Sequence, residues 1–226
     1  MIFFLSGCVG TLGSREWHNN FSYSPPKHKS GNINHSKIIN KPFDEVWKNL
    51  IQYSAKTFFA IENYEKDSGL ITLSFGSDNI TKYVDGGKWN LSQIFKRTMT
   101  TPGLFYPENP PSFKGTYAEY IAGYNESSLQ GKLNIAVMKI DENTTEIVVN
   151  ALYILNIRPS RISTLIGSRG QMYGSPTATF SFSSGNCDSI DFSRHYKGDE
   201  GEHKGGYIRT ICPTYFAEKS IINGVN

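Results

Sequence analysis

The chain has 226 residues with 23 basic and 20 acidic side chains, a net charge of +3, which excludes the clustered cationic surface of a nucleic-acid binder. Hydrophobic residues make up 38% and aromatics 13%, with 21 glycines and 10 prolines, so aliphatic helical bundles are disfavoured and short, turn-rich strands bearing Tyr and Phe are favoured. A core of useful size is within reach of one domain of this length.

The first eight residues, Met1 to Cys8, form an apolar run, two small residues and a cysteine. Leu5-Ser6-Gly7-Cys8 looks like a bacterial lipobox. The apolar segment sits in the membrane, Ser6 and Gly7 fit a peptidase cleft, and the Cys8 thiol accepts a diacylglycerol. That reading implies removal of residues 1–7 and two or more acyl chains on Cys8, enough for stable anchoring. Val9, where an Asp would favour retention in the inner membrane, points to the periplasmic face of the outer membrane. The apolar run is short and lacks a basic flank, so either the true start lies upstream or the sequence is a fragment. No stretch is long and apolar enough for a membrane-spanning helix.

Residues 8–35 are polar, contain Pro25-Pro26 and show no period; they read as a lipidated flexible tether. A single periplasmic domain is expected over 36–226. It opens with a strand, Ser36 to Ile39. Asn40 as cap, Pro42 in the first turn, and Phe43, Val46, Trp47, Leu50, Ile51 and Ser54 at helical spacing predict a helix over 42–57. Strands at Ala60–Tyr64 and Leu70–Phe75 flank the Asp67-Ser68-Gly69 turn. The stretch 76–114 reads as a long loop with a short strand at Tyr83-Val84 and a helical turn from Leu91 to Lys96. Alternation predicts strands over 115–122, 128–140 and 145–155. Residues 156–176 read as loop, followed by strands at 177–182 and 207–212 and a last helix from Thr214 to Ile222. The fold class expected is α+β: an antiparallel sheet with a long N-terminal and a short C-terminal helix packed on one face, helix-grip-like.

Beyond Cys8 the only cysteines are Cys187 and Cys212, and two cysteines in an oxidising compartment pair. Asp188, His195, Asp199, Glu200, Glu202 and His203 crowd one loop without the spacing of a metal motif; they read as a solvated acidic loop, and no metal or other cofactor is expected. Gly167-Ser168-Arg169-Gly170 lacks the spacing of a nucleophile elbow, and no phosphate loop, HExxH or dinucleotide fingerprint occurs. Catalysis is therefore not expected.

The blocks Ile39-Asn40-Lys41-Pro42-Phe43-Asp44-Glu45-Val46-Trp47 and Ile61-Glu62-Asn63-Tyr64-Glu65-Lys66-Asp67-Ser68-Gly69-Leu70-Ile71-Thr72 resemble the domains of bacterial outer-membrane lipoproteins related to the BamC subunit of the β-barrel assembly machinery. Similar openings occur in other, uncharacterised envelope lipoproteins, whose pattern Val148 to Tyr153 and Cys212-Pro213-Thr214 fit better. The resemblance covers about 35 residues; it implies a non-catalytic periplasmic domain with a helix gripped by a sheet, and carries over no catalytic residue. The function expected is a lipid-anchored binding or assembly module that meets an envelope protein through a sheet edge or helix–sheet groove, with Tyr83, Trp89 and Phe105 as candidate anchors. A carrier of a small apolar ligand or glycan, or a hydrolase, are the alternatives.

Overall fold

The computed structural model describes residues 15–27, 35–97, 113–159, 177–193, 203–204 and 207–225. They form a mostly antiparallel β protein with three short helices. This corrects the helix-grip expectation: the first helix has only 14 residues and lies after two strands, so it is neither long nor N-terminal.

The strands run β1 Arg15–Ser24, β2 Ser36–Ile39, β3 Ala60–Glu65, β4 Leu70–Ser77, β5 Val84–Asp85, β6 Lys88–Arg97, β7 Phe113–Thr116, β8 Asn125–Lys139, β9 Thr145–Pro159, β10 Ala178–Ser183, β11 Asp188–Asp191, β12 His203–Lys204 and β13 Ile208–Pro213. The helices are α1 Phe43–Lys56, α2 Tyr117–Tyr124 and α3 Phe216–Gly224. The main sheet has the order β10-β9-β8-β4-β3, with β2 also paired to β9. A three-stranded sheet, β11-β13-β5, and a four-stranded one, β12-β1-β6-β7, complete the described residues.

The β8–β9 hairpin is the spine. Fifteen residue pairs run from Asn125↔Pro159 to Lys139↔Thr145. Alternation sends Leu129, Leu133, Ile135 and Val137 of β8, and Ile147, Val149, Tyr153, Leu155 and Ile157 of β9, to one buried face. Ile71, Leu73 and Phe75 of β4 extend that face. Helix α1 lays Val46, Trp47, Leu50 and Ser54 onto it. The spacing of those four makes a single stripe, and Asp44 and Glu45 sit at the positive end of the helix dipole. Pro42, not Asn40, occupies the cap position, and no side chain caps the helix. Burying Leu50 and Val46 completely contributes about 1.5–3 kcal/mol each.

At Gly69 and Gly131 the geometry leaves no room for a side chain. Gly69 has φ +68°, and a side chain there would strike the Val137 carbonyl of neighbouring β8. Gly131 lies under the Phe75 ring, which fills the space a Cβ would take. We expect Gly69→Ala to destabilise the protein by at least about 2 kcal/mol, the left-handed strain plus the clash. Urea unfolding checks this; an unchanged midpoint contradicts the turn geometry.

Several local expectations are corrected. Residues 115–122 are not a strand: β7 stops at Thr116 and α2 begins. Thr116 Oγ1 accepts from the Glu119 backbone N–H (3.1 Å) while Glu119 Oε2 accepts from the Thr116 N–H (2.7 Å), a reciprocal capping box. The Thr116 N–H first, and second the Thr116 hydroxyl, which donates to the same oxygen at 2.9 Å, hold the Glu119 carboxyl below the usual carboxylate range. Leu91 to Lys96 is extended within β6, not helical. Part of the expected tether, residues 15–24, is strand β1, paired along its length with β6. Residues 156–159 continue β9, and β11 was not foreseen.

Candidate functional site

Three places concentrate chemistry: a buried acid network, a buried cation between aromatic rings, and an exposed sheet edge.

The acid network lies between β9, the end of β10 and α3. Glu218 is 1% exposed. Its Oε2 accepts from the Tyr153 hydroxyl at 2.6 Å and its Oε1 from the Ser184 hydroxyl at 2.7 Å. The Ser184 oxygen in turn accepts from the Ala151 N–H at 2.7 Å. Position in the first turn of α3 also favours a negative charge. Tyr153 is fully buried, stacked on Phe182 at 5.0 Å. Burial first, then the neighbouring Glu218 carboxylate, pushes its phenol far above the usual tyrosine range. Both carboxylate oxygens are thus engaged by fixed donors inside the core. The network ties α3 to the sheet; it presents neither a nucleophile nor an acid to solvent.

Tyr215, the cap residue just before the helix that carries Glu218, holds φ +64°, a left-handed conformation disfavoured for an aromatic residue. The Tyr215 ring is buried and lies 5.1 Å from that of His35.

The buried cation is Arg209 of β13, 3% exposed. Its guanidinium lies 4.8 Å from the Tyr23 ring and 4.7 Å from the Trp89 ring. Trp89 stacks on Tyr117 at 4.8 Å. The Tyr23 hydroxyl donates to the Thr210 carbonyl (3.1 Å) and accepts from its N–H (2.9 Å), standing in for a strand neighbour. Burial raises the Tyr23 phenol above its ordinary value, against the lowering effect of Thr210 and Arg209. A guanidinium between two desolvated rings contributes about 2 kcal/mol or more. These rings join the β1–β6 ribbon to the rest of the protein.

The exposed edge is β3. It ends the main sheet, and among the described residues no further strand pairs with its outer side. All six of its residues are exposed. Ile61 and Tyr64 pair with Leu73 and Ile71, core-side residues of β4, so they share the core side of the sheet at its rim. Tyr64 is 62% exposed, and Phe58, just before the strand, 53%. The register shifts between Ile61 and Asn63, a bulge, and Glu62 pairs with Lys132 at 2.8 Å. That ion pair, with help from Ser74, holds the Glu62 carboxyl below the usual range.

The sequence-based candidates distribute as follows. Cys187 and Cys212 form a disulfide. Tyr83 and Trp89 are core residues, 4% and 5% exposed, and not open anchors; Tyr83 packs against Phe75 and Phe216. Cys8 and Phe105 lie outside the described residues, as do His195, Asp199, Glu200 and Glu202. Asp188 uses its carboxylate to accept from the N–H groups of Ser181 (2.7 Å) and Ser189 (2.8 Å), a bracing role between neighbouring strands. Among the described residues, no three His, Cys, Asp or Glu side chains are placed to hold a metal ion, and no helix is long and apolar enough to cross a membrane. The β3 edge was foreseen only in kind. The signal for it was Phe58-Phe59-Ala60-Ile61, an apolar run directly after a helix with more bulk than one sheet face can bury.

Comparison with protein-family models, with curated proteins and with solved structures finds no match for this chain.

Proposed function

We propose that this chain is a non-catalytic binding or assembly module of the bacterial envelope, anchored through Cys8 to the periplasmic face of the outer membrane. It engages an envelope protein partner by adding an extended segment of that partner to β3.

The observation that carries the binding role is the open β3 edge with exposed Phe58, Ile61 and Tyr64 beside it. Unpaired backbone groups supply hydrogen bonds and exposed aromatics supply anchor area, the combination used in strand addition. The bulge at Ile61/Asn63 and the acidic Glu65 oppose self-pairing, because a second copy would bring like charges to the same edge. A different chain is therefore the fitting occupant. The Cys187–Cys212 bridge supports an oxidising compartment, and the lipobox-like Leu5-Ser6-Gly7-Cys8 supports the anchor. The likeness of residues 39–47 and 61–72 to envelope lipoprotein domains favours the same reading.

The test is a photo-crosslinking side chain placed singly at Tyr64, or at Glu126 as a control exposed at the far end of β8, in intact cells. Position 64 is expected to give a discrete protein adduct, and Ile61→Ala to lower its yield at least about tenfold, the loss of one interface anchor. Equal adduct patterns at both positions would remove the β3 claim. We also expect Cys8→Ala to move the protein from the membrane to the soluble fraction; unchanged fractionation counts against the anchor.

A further inference from the structure

We propose that the segment added to β3 runs antiparallel to it and is bipolar, cationic at its N-terminal end and apolar at its C-terminal end; this rests on the strand-addition reading and names the chemistry of the partner.

The character of the edge changes along its length. At its start, the Phe58 ring packs 4.3 Å from that of Phe59 and 5.8 Å from that of Phe75, yet stays 53% exposed. It is an apolar surface already held in place by the core, so burying it costs little further ordering. Ile61 follows, 36% exposed on the core side of the rim. The charge nearest in sequence at this end is positive: Lys56, in the last turn of α1.

At its other end the strand closes on Glu65 and enters the turn with Asp67, both exposed. The lysines there already have partners. Lys66 Nζ lies 2.6 Å from Asp44 of α1, and Lys132 Nζ lies 2.8 Å from Glu62. Glu65 accepts from the Ser68 hydroxyl at 3.0 Å. Among the described residues neither Glu65 nor Asp67 has a cationic partner. This end therefore carries two uncompensated negative charges, on the last residue of the strand and just beyond it.

Orientation follows from pairing. Antiparallel ladders are slightly the more stable per residue, and the strands of the main sheet pair that way throughout. An antiparallel guest sets its N-terminal residues against Glu65 and Asp67 and its C-terminal residues against Ile61 and Phe58. Lysine or arginine at the first end meets free carboxylates, and apolar side chains at the second meet exposed apolar surface. The reverse polarity would place cations towards Lys56 and apolar groups beside carboxylates. Each opposite-charge pair between neighbouring strands strengthens binding by up to about fivefold.

The test uses residues 8–226 with Cys8→Ser, the mature chain without its lipid, and fluorescent eight-residue peptides capped at both ends so that no terminal charge contributes. One peptide has lysines in its first half, valines in its second and threonine elsewhere. A second has the reverse order, and a third has glutamate in place of lysine. The first is expected to bind at least about fivefold tighter than the second and about tenfold tighter than the third. The gap to the third should close in about 1 M salt, where screening shortens to about 3 Å. Glu65→Lys/Asp67→Lys should invert the choice and bind the glutamate peptide more tightly than the lysine one, a gain that a misfolded variant cannot produce. Phe58→Ser should weaken the first and third peptides alike. Equal affinities for the two orders, an unchanged preference in the charge-swapped variant, an unaltered affinity in Phe58→Ser, or no binding of any peptide overturns the bipolar partner. The crosslink from Tyr64 in cells reads strand addition itself. An adduct there with indifferent peptides sinks this proposal alone, whereas absence of the adduct sinks the strand-addition reading.

Discussion

Tyr153→Phe is expected to destabilise the protein by about 1–3 kcal/mol, and Tyr153→Ala by more than about 4 kcal/mol. The first change removes only an oxygen. It takes from the buried Glu218 carboxylate its 2.6 Å donor, and an acceptor left short of partners in the core bears its desolvation cost. The second also empties the volume of a fully buried ring packed between Phe182 and Phe75, a cavity costing about 3–5 kcal/mol by itself. The signature of the network is non-additivity. Glu218→Leu alone leaves the Tyr153 hydroxyl buried without its acceptor. Tyr153→Phe/Glu218→Leu removes both partners, so the double variant should be destabilised by clearly less than the sum of the single ones. Urea unfolding of the four proteins measures this, and strictly additive values contradict a coupled pair.

The same network sets an alkaline limit. The folded Tyr153 phenol titrates far above its ordinary value near 10, through burial and the Glu218 charge. Tyr23, Tyr83 and Tyr215 are raised too, burial being the first cause in each. A raised folded value means that the fold holds its proton while the unfolded chain releases it. The stability from the neutral phenols is therefore complete below about pH 10 and falls as the pH rises beyond it. Tyr153→Phe should show a shallower decline above pH 10 than the wild-type protein.

Replacing both bridged cysteines, Cys187→Ala/Cys212→Ala, is expected to lower stability by about 3 kcal/mol. The bridge closes a sequence separation of 25 residues, and holding a loop of that size closed in the unfolded chain is worth about that much. For a chain of this length the melting temperature should fall by roughly 6–12 °C. The loss should be local at first. Cys212 is buried in β13, whose neighbours are β5 and β11 and which carries Arg209. Fraying of β13 would withdraw that guanidinium from between Tyr23 and Trp89. A reductant should lower the melting temperature of the wild-type protein and leave that of the double variant unchanged; no shift in either contradicts a stabilising bridge.

Legibility in the sequence followed the strength of local signals. The β3–β4 and β8–β9 hairpins were readable because aliphatic residues alternate there and because Asp67-Ser68-Gly69 and Asp141-Glu142-Asn143-Thr144 punctuate them. Helix α1 was readable from its apolar stripe. Its length against the whole chain was misjudged, since strands dominate the described residues. Strands β1 and β6 were missed because Asn, Ser, His, Gln and charged residues fill most of their non-aromatic positions. The period of two survives only in Phe21 and Tyr23 and in Trp89 and Leu91, too few residues to outweigh a polar composition. Helix α2 was missed because Thr116, Tyr117, Tyr120 and Ile121 are residue types that favour strands. The decisive signal, Thr116 three residues before Glu119, marks a helix start. Tyr83 and Trp89 read as exposed because their segment looked like loop; once β6 forms, Trp89 turns inward against Tyr117. The Glu218–Tyr153–Ser184 network left no sequence signal at all, because its members are 34 or 65 residues apart from Glu218 and meet only when α3 closes on the sheet.

The anchor is the premise from which compartment, orientation and partner class all follow, and intact-mass analysis of the protein extracted from bacterial membranes addresses it most directly. The account predicts a polypeptide that begins at Cys8 and carries a thioether-linked diacylglycerol and an acylated amine. A polypeptide with a free thiol at Cys8 and residues 1–7 still attached contradicts it.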